Sequence, residues 1–169
     1  MKKFKLTSEF IVDISGVKLF RIKALIEFGN VKAGDLGGYI EKEENLSHMG
    51  NAWVSGDAQV SGNARVFGDA QVFGDAWVSG NARVSGDAWI YGDARVSGDK
   101  DYAYAHGFGS CNRTTTFFRL KDGDVGVRCG CFYGTLAQFR DKVCETHGET
   151  KKAQEYLMLA DLMEIRFKN

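Results

Sequence analysis

Four residues in the last third of the chain carry the side chains of a metal site. Cys129-x-Cys131 is followed, after twelve residues, by Cys144-x-x-His147. Two residues two apart share one face of a strand, and two residues three apart share one face of a helix. Thiolates with an imidazole are the donor set of a structural zinc site. The spacing departs from the usual CxxC pair, and Cys is among the most buried residue types, so the same residues also read as core thiols. A third reading pairs Cys129 or Cys131 with His147 as nucleophile and base, with no orienting partner or oxyanion hole legible beside them. Zinc on this set is the only cofactor that the residues suggest.

A second group is polar: Ser110, Asn112, Arg113, Thr114, Thr115 and Thr116, with Arg119 and Arg128. It follows Gly107-Phe108-Gly109. Arginine binds phosphate bidentately, hydroxyls donate hydrogen bonds, and glycine lets backbone approach a ligand closely. Tyr102, Tyr104 and Phe108 offer rings on which a base stacks. That chemistry suits a small phosphorylated ligand of nucleotide type. Threonine is also a good strand residue, so an exposed Thr-rich strand is the alternative. There is no Walker-type phosphate loop and no GxGxxG turn.

The elements that must position these groups are set by a repeat. From Gly50 to Ser97 the chain runs in eight hexads of the form Gly, Asp/Asn, Ala, variable, Val/Ile, variable. Ala and Val lie two apart, so a strand points both to one side. Glycine followed by Asp or Asn is corner chemistry. One hexad cannot bury its Ala and Val alone, but stacked coils share a continuous core. If three hexads make a coil, residues three hexads apart stack, and the outward positions fall on three faces. The first face carries Trp53, Gln71 and Trp89, with Ser55, Phe73 and Tyr91 beside them. The second carries Gln59, Trp77 and Arg95, and the third Arg65 and Arg83. An aromatic patch such as Trp53, Phe73, Trp89 and Tyr91 is seldom left bare on a monomer. A terminal segment covers it, or it is an oligomer interface, a trimer first and a dimer second, or it is a binding surface for another partner. The Asp and Asn corners lack the nonapeptide pattern of calcium-binding rolls.

These hexads resemble the hexapeptide repeats of left-handed parallel β-helices, whose three hexads make one triangular coil. The stretch KAGDLGGYIE…NLS leading into them is similar to a recurrent group of bacterial and phage repeat proteins, labelled as transferases or as polymer-forming cytoskeletal-like proteins. The resemblance implies a mainly β fold: a left-handed parallel β-helix with a β-rich N-terminal cap over 1–47 and repeats over 48–103. The degenerate copies ENLSHM (44–49) and GDKDYA (98–103) extend the array on this reading. The acyltransferase version of the repeat uses a histidine as general base. Here the hexads contain no His, with His48 just before them and His106 just after.

Beyond the repeats, residues 104–169 read as a small ββαα module. TTTFFRL (114–120) and VGVRCGCF (125–132) are strands joined by an Asp-Gly turn. Thr135 with Gln138 is a capping box, and Leu136, Phe139, Val143 and His147 share one helical face. A second helix is expected from Lys151 to Arg166. A TTF strand, a GCFxGT turn and a helix ending in HG are similar to the C-terminal halves of phage-encoded repeat proteins.

Composition limits the function. Lys+Arg and Asp+Glu are both 22, so net charge gives no support to nucleic-acid binding. The 44% apolar content is that of a folded chain. No apolar run reaches membrane-span or signal-peptide length, so a cytosolic protein of the bacterial host is expected. The expected function is non-enzymatic: a homo-oligomeric scaffold that presents its C-terminal module to a partner. The phage resemblance implies an accessory protein in counter-defence, which sequesters a nucleotide-type signal or masks a host protein. A hexapeptide-repeat acyltransferase using acyl-CoA and a filament-forming structural protein are the rivals.

Overall fold

The structure is a computed structural model that describes residues 1–168. Eight two-residue strands, β4 (Trp53–Val54) to β11 (Arg95–Val96), follow one another at the hexad period. They build a β-solenoid of about three turns. Between them lie β5 (Gln59–Val60), β6 (Arg65–Val66), β7 (Gln71–Val72), β8 (Trp77–Val78), β9 (Arg83–Val84) and β10 (Trp89–Ile90). The expected stacking is present: Trp53 pairs with Gln71 and Gln71 with Trp89, Gln59 with Trp77 and Trp77 with Arg95, and Arg65 with Arg83, all parallel. Every repeat Ala and Val/Ile points inward and is at most 1% exposed. A buried Val or Ile contributes roughly 1.5–3 kcal/mol, and each rung holds only one, so the tube is stable only as a stack. Gly56 through Gly92 make the corners with φ between 60° and 74°. That is left-handed backbone, and neighbouring corners touch, so a Cβ on Gly62 would sit 3.2 Å from the Gly80 carbonyl oxygen.

The stack has a polarity. Each coil's N–H groups donate to the carbonyls of the next coil, as in Trp53 N to Ala70 O at 3.0 Å and Gln71 N to Ala88 O at 2.9 Å. The first coil therefore presents bare carbonyls and the last coil bare N–H groups. The N-terminal segment supplies donors. It forms β1 (Phe4–Val12), β2 (Lys18–Ala24) and β3 (Leu36–Ile40), antiparallel to one another, and β3 then pairs parallel to β5. The N–H groups of Tyr39 and Glu41 donate to Ala58 and Val60 O. Lys3 Nζ donates to Ala52 O at 2.7 Å and Gly50 O at 3.3 Å. Asn45 Nδ2 donates to Ala64 O at 2.8 Å and Gly62 O at 3.2 Å. Leu46 bridges to Val66, so the degenerate copy at 44–49 does add a rung.

The other degenerate copy does not. Residues Asp99–Asp101 form a short 3-10 turn, and Tyr102 opens β12 (Tyr102–Phe108). The expected boundary after residue 103 thus falls inside a strand of the C-terminal module. The cause is the outward break at Asp99 and Asp101, whose carboxylates turn back to accept from the last coil. Strands β12, β13 (Arg113–Arg119), β14 (Val125–Cys129) and β15 (Phe132–Thr135) form one antiparallel sheet, where two strands were expected. Two helices follow, α1 (Leu136–His147) and α2 (Lys151–Phe167), and Thr135 and Gln138 form the expected capping box. The sheet lies between two cores. Phe118 and Tyr102 join the solenoid core, while Phe117, one residue away, packs with Phe139, Tyr156 and Phe167 of the helices. Among the described residues no helix is long and apolar enough to cross a membrane.

Candidate functional site

The sheet and the last coil enclose a cleft of about 610 Å³ lined by Asp87, Trp89, His106, Arg113, Thr114, Arg128, Gly130 and Cys131. Two groups that are far apart in sequence meet here: the aromatic face of the solenoid and the Arg/Thr cluster. The docking is specific. Thr116 is 1% exposed, and its Oγ1 accepts the Trp89 backbone N–H at 3.0 Å. Tyr104 packs its hydroxyl over Gly86, and Tyr133 packs its hydroxyl over Gly92. A side chain at either glycine would collide with the module.

Arg128 sits inside an aromatic box. Its guanidinium carbon is 5.2 Å from the Tyr91 ring centroid, 5.5 Å from Trp89 and 6.0 Å from Phe73. Such contacts hold a cation where water does not reach it easily. Its Nε is buried with no hydrogen-bond partner. Arg113 lies over Gly130, the first residue of the two-residue β14–β15 turn, where φ is +58°. Only glycine fits both the turn and the guanidinium above it. His106, which also lines the cleft, bonds Thr114 Oγ1 through Nδ1 at 2.9 Å.

The aromatic face is otherwise covered within the chain. Trp53 is 4% exposed beneath Phe28, whose ring centroid is 5.3 Å away. Phe73 and Tyr91 pack with tilted rings, centroids 4.6 Å apart, and Tyr91 meets Tyr133 edge-on at 4.7 Å. Both terminal segments therefore take part, one at each end of the face. Trp89 alone of the four stays 41% exposed, and it opens into the cleft.

The predicted polar cluster divides. Arg113, Thr114 and Arg128 line the cleft. Ser110 lines a smaller cavity beside it and is held by the Tyr156 hydroxyl, which accepts the Ser110 backbone N–H at 2.9 Å. Burial raises the Tyr156 pKa, keeping the phenol protonated. Asn112 sits in the β12–β13 turn with φ +46°. Thr115 is 1% exposed on the helix side of the sheet and donates to Cys129 Sγ at 3.2 Å. Arg119 lies at the far end, where it donates to Phe167 O at 3.0 Å and anchors the end of α2. Strand alternation explains the split: neighbouring threonines face opposite sides of the sheet.

The cysteine and histidine set does not converge. Among the described residues no three His, Cys, Asp or Glu side chains are placed to hold a metal ion. Cys129, Cys131 and His147 line the smaller cavity, about 200 Å³, but Cys144 is exposed and outside it. The buried face of α1 is Leu136, Phe139 and Val143. Cys144 follows Val143 by one residue, about 100° round the helix, and so leaves that face. The donor set does not fit zinc.

His48 is also committed. Its Nδ1 accepts the Lys3 backbone N–H at 3.1 Å, so Nε2 carries the proton, which it donates to Glu43 at 2.7 Å. Hydrogen bonds from Lys2 and then His48 lower the Glu43 pKa. A polar cleft of about 620 Å³ lies beside them, lined by Lys42, Glu43, His48, Asn63 and Arg65 among others. With both ring nitrogens engaged, His48 has no free base.

Sequence reasoning missed Asp87 as a site residue. Its signal is masked because Asp is what the repeat demands at that position.

A family model described as the YdcK Beta solenoid repeat matches residues 58–74, 70–86 and 76–90. The chain is similar there to a β-solenoid repeat. Successive matches start twelve and six residues apart, whole multiples of the hexad. No curated protein matches the chain. The family match supports the β-solenoid and lies entirely within the coils; it does not reach the C-terminal module or most of the cleft.

Proposed function

We propose that this protein is a non-enzymatic binding scaffold whose cleft holds a small ligand of nucleotide type. One observation carries the reading: an exposed indole, an Arg113 with no ion-pair partner among the described residues and a boxed Arg128 line the same cleft between the last coil and the module. A flat ring stacks on Trp89, and an anionic group meets Arg113. The solenoid contributes a rigid wall, and sequestration of a nucleotide-type signal, as in counter-defence, is the role such a wall would serve. Native mass spectrometry of protein purified without denaturation tests this. The expected spectrum carries a few hundred daltons of extra mass per subunit, absent in Arg113→Ala at unchanged subunit count. A clean multiple of the chain mass, with no nucleotide bound on addition, would overturn the small-ligand reading and leave masking of a protein partner. The same spectrum gives the subunit number, a trimer on the present proposal.

Acyl transfer is a second reading, favoured by one feature: His106 lines the cleft with no partner on Nε2 among the described residues. It requires acetyl-CoA turnover by the purified protein that disappears in His106→Ala. Absence of turnover in the parent protein removes it.

A further inference from the structure

Asp87, Trp89 and Tyr91 alternate along one outward row of the last coil, with Ala88 and Ile90 fully buried between them. Asp87 lies in the corner two residues before Trp89, at most about 7 Å along the chain, and both line the cleft, so its carboxylate is offered to a ring stacked on Trp89. Asp87 is exposed, and among the described residues it has no hydrogen-bond or ion-pair partner. Arg113 lines the same cleft and is unpaired too. An anion and a cation that face one cleft without closing on each other are both left for a ligand. That ligand must offer hydrogen-bond donors at one end and negative charge at the other.

We infer that the cleft selects a guanine nucleotide, with Asp87 as the residue that reads the base. This rests on the nucleotide-type reading above. An ionised carboxylate only accepts hydrogen bonds, so the edge it meets must donate. Guanine presents two adjacent donors, N1–H and the 2-amino group, which a carboxylate takes together in the fork geometry it uses with arginine. Adenine and cytosine place their amino group next to a bare ring nitrogen, whose lone pair would face the carboxylate. Uracil and hypoxanthine offer a single ring N–H. The ribose lies between base and phosphate, so it is carried away from Asp87 toward His106, Thr114 and Arg113, and the phosphate meets Arg113.

The repeat supplies its own clean variant. The position of Asp87 is filled by Asn in three other hexads, at Asn51, Asn63 and Asn81. Asp87→Asn therefore keeps the corner while replacing a pure acceptor by an amide. Isothermal titration of the full chain with GMP, IMP and AMP is the experiment. GMP is expected to bind roughly tenfold or more tighter than AMP, with IMP between. Asp87→Asn should bring GMP to the AMP level and leave AMP unchanged. Equal binding of GMP and AMP to the parent chain, or an intact GMP preference in Asp87→Asn, overturns the inference. The nucleotide reading would survive that result, provided that Trp89→Ala weakens all three alike. If none of the three binds at millimolar concentration, the nucleotide reading itself falls and takes this inference with it.

Discussion

The two ends of the solenoid solve opposite problems. At the first coil, carbonyl oxygens point outward, and the caps are donors: the Lys3 amine, the Asn45 amide and the N–H groups that follow β3. At the last coil, N–H groups point outward, and the caps are acceptors. Asp99 takes the Arg83 N–H at 2.7 Å, Thr116 takes Trp89 at 3.0 Å, and Asp101 takes Ser97 at 2.9 Å and Gly98 at 3.1 Å. All three faces are served at each end. A parallel stack has a direction, so its caps are not interchangeable. The acceptor end also carries the candidate site. A threonine and two aspartates seat the module, and the module closes the cleft. The donor end carries a polar cleft as well, but its histidine and its Lys2–Glu43 pair are engaged with one another.

The sharpest way to break this contrast is to invert a cap without changing its shape. Asn45→Asp sets a carboxylate against two carbonyls in a site that is 0% exposed, and should cost about 3 kcal/mol or more in urea unfolding. The matching change at the other end, Asp101→Asn, keeps one acceptor oxygen and should cost only about 1–2 kcal/mol. Equal costs at the two ends would show that direction does not govern the caps.

Lys3 sharpens the contrast through pH. Burial lowers its pKa from 10.5 to about 8, partly opposed by Asp69. Between pH 8 and 10.5 the unfolded chain therefore binds more protons than the folded one, so this group adds stability as pH rises through that window. Below pH 8 the cost of burying the charge is present in full. The neutral amine still has two hydrogens for Ala52 and Gly50. Lys3→Met should cost about 1 kcal/mol near pH 7 and clearly more at pH 10. A cost independent of pH would mean that the amine is not desolvated.

The smallest effect is expected at Thr116→Val, which leaves the Trp89 N–H without its acceptor at nearly constant volume. A loss of about 1 kcal/mol, with a shift in Trp89 fluorescence, is the outcome to measure. No change in either would mean that Thr116 does not seat the module.

The coils were legible because one hexad states everything a coil needs: Gly at the left-handed corner, Ala and Val inward, and the rest outward. The three stacked faces, the capping box at Thr135 and the second helix follow from local pattern in the same way. The strand YAYAHGF was harder, since it continues a run of hexads with a residue spacing they could share, and only the pull of Asp99 and Asp101 on the last coil separates it. Strand β15 is four residues beyond a two-residue turn, too short to show a period. The cleft was half legible. Arg113, Thr114 and Arg128 stood out by type, and Trp89 by exposure on its face. Their meeting depends on which side of the sheet each faces, and Thr115 and Thr116 show that this changes at every residue. Asp87 was invisible because corner chemistry and binding chemistry ask for the same side chain. Cys144 misleads because its three-residue spacing sets it within about 60° of His147, yet it lies about 100° from Val143, off the buried Leu136, Phe139 and Val143 face.

The polarity of the stack also sets a timetable. The donor caps precede the coils in the chain, so each new coil leaving the ribosome can settle on a finished surface. The last coil cannot be finished in that way. Asp99 and Asp101 follow the eighth hexad at once, but the Trp89 face stays open until β13 has been synthesised and Thr116 arrives, and an open edge is a template for pairing with other chains. Translation that stops after the eighth hexad should therefore release a well-formed but adhesive solenoid, and the module is the part that makes it safe to release.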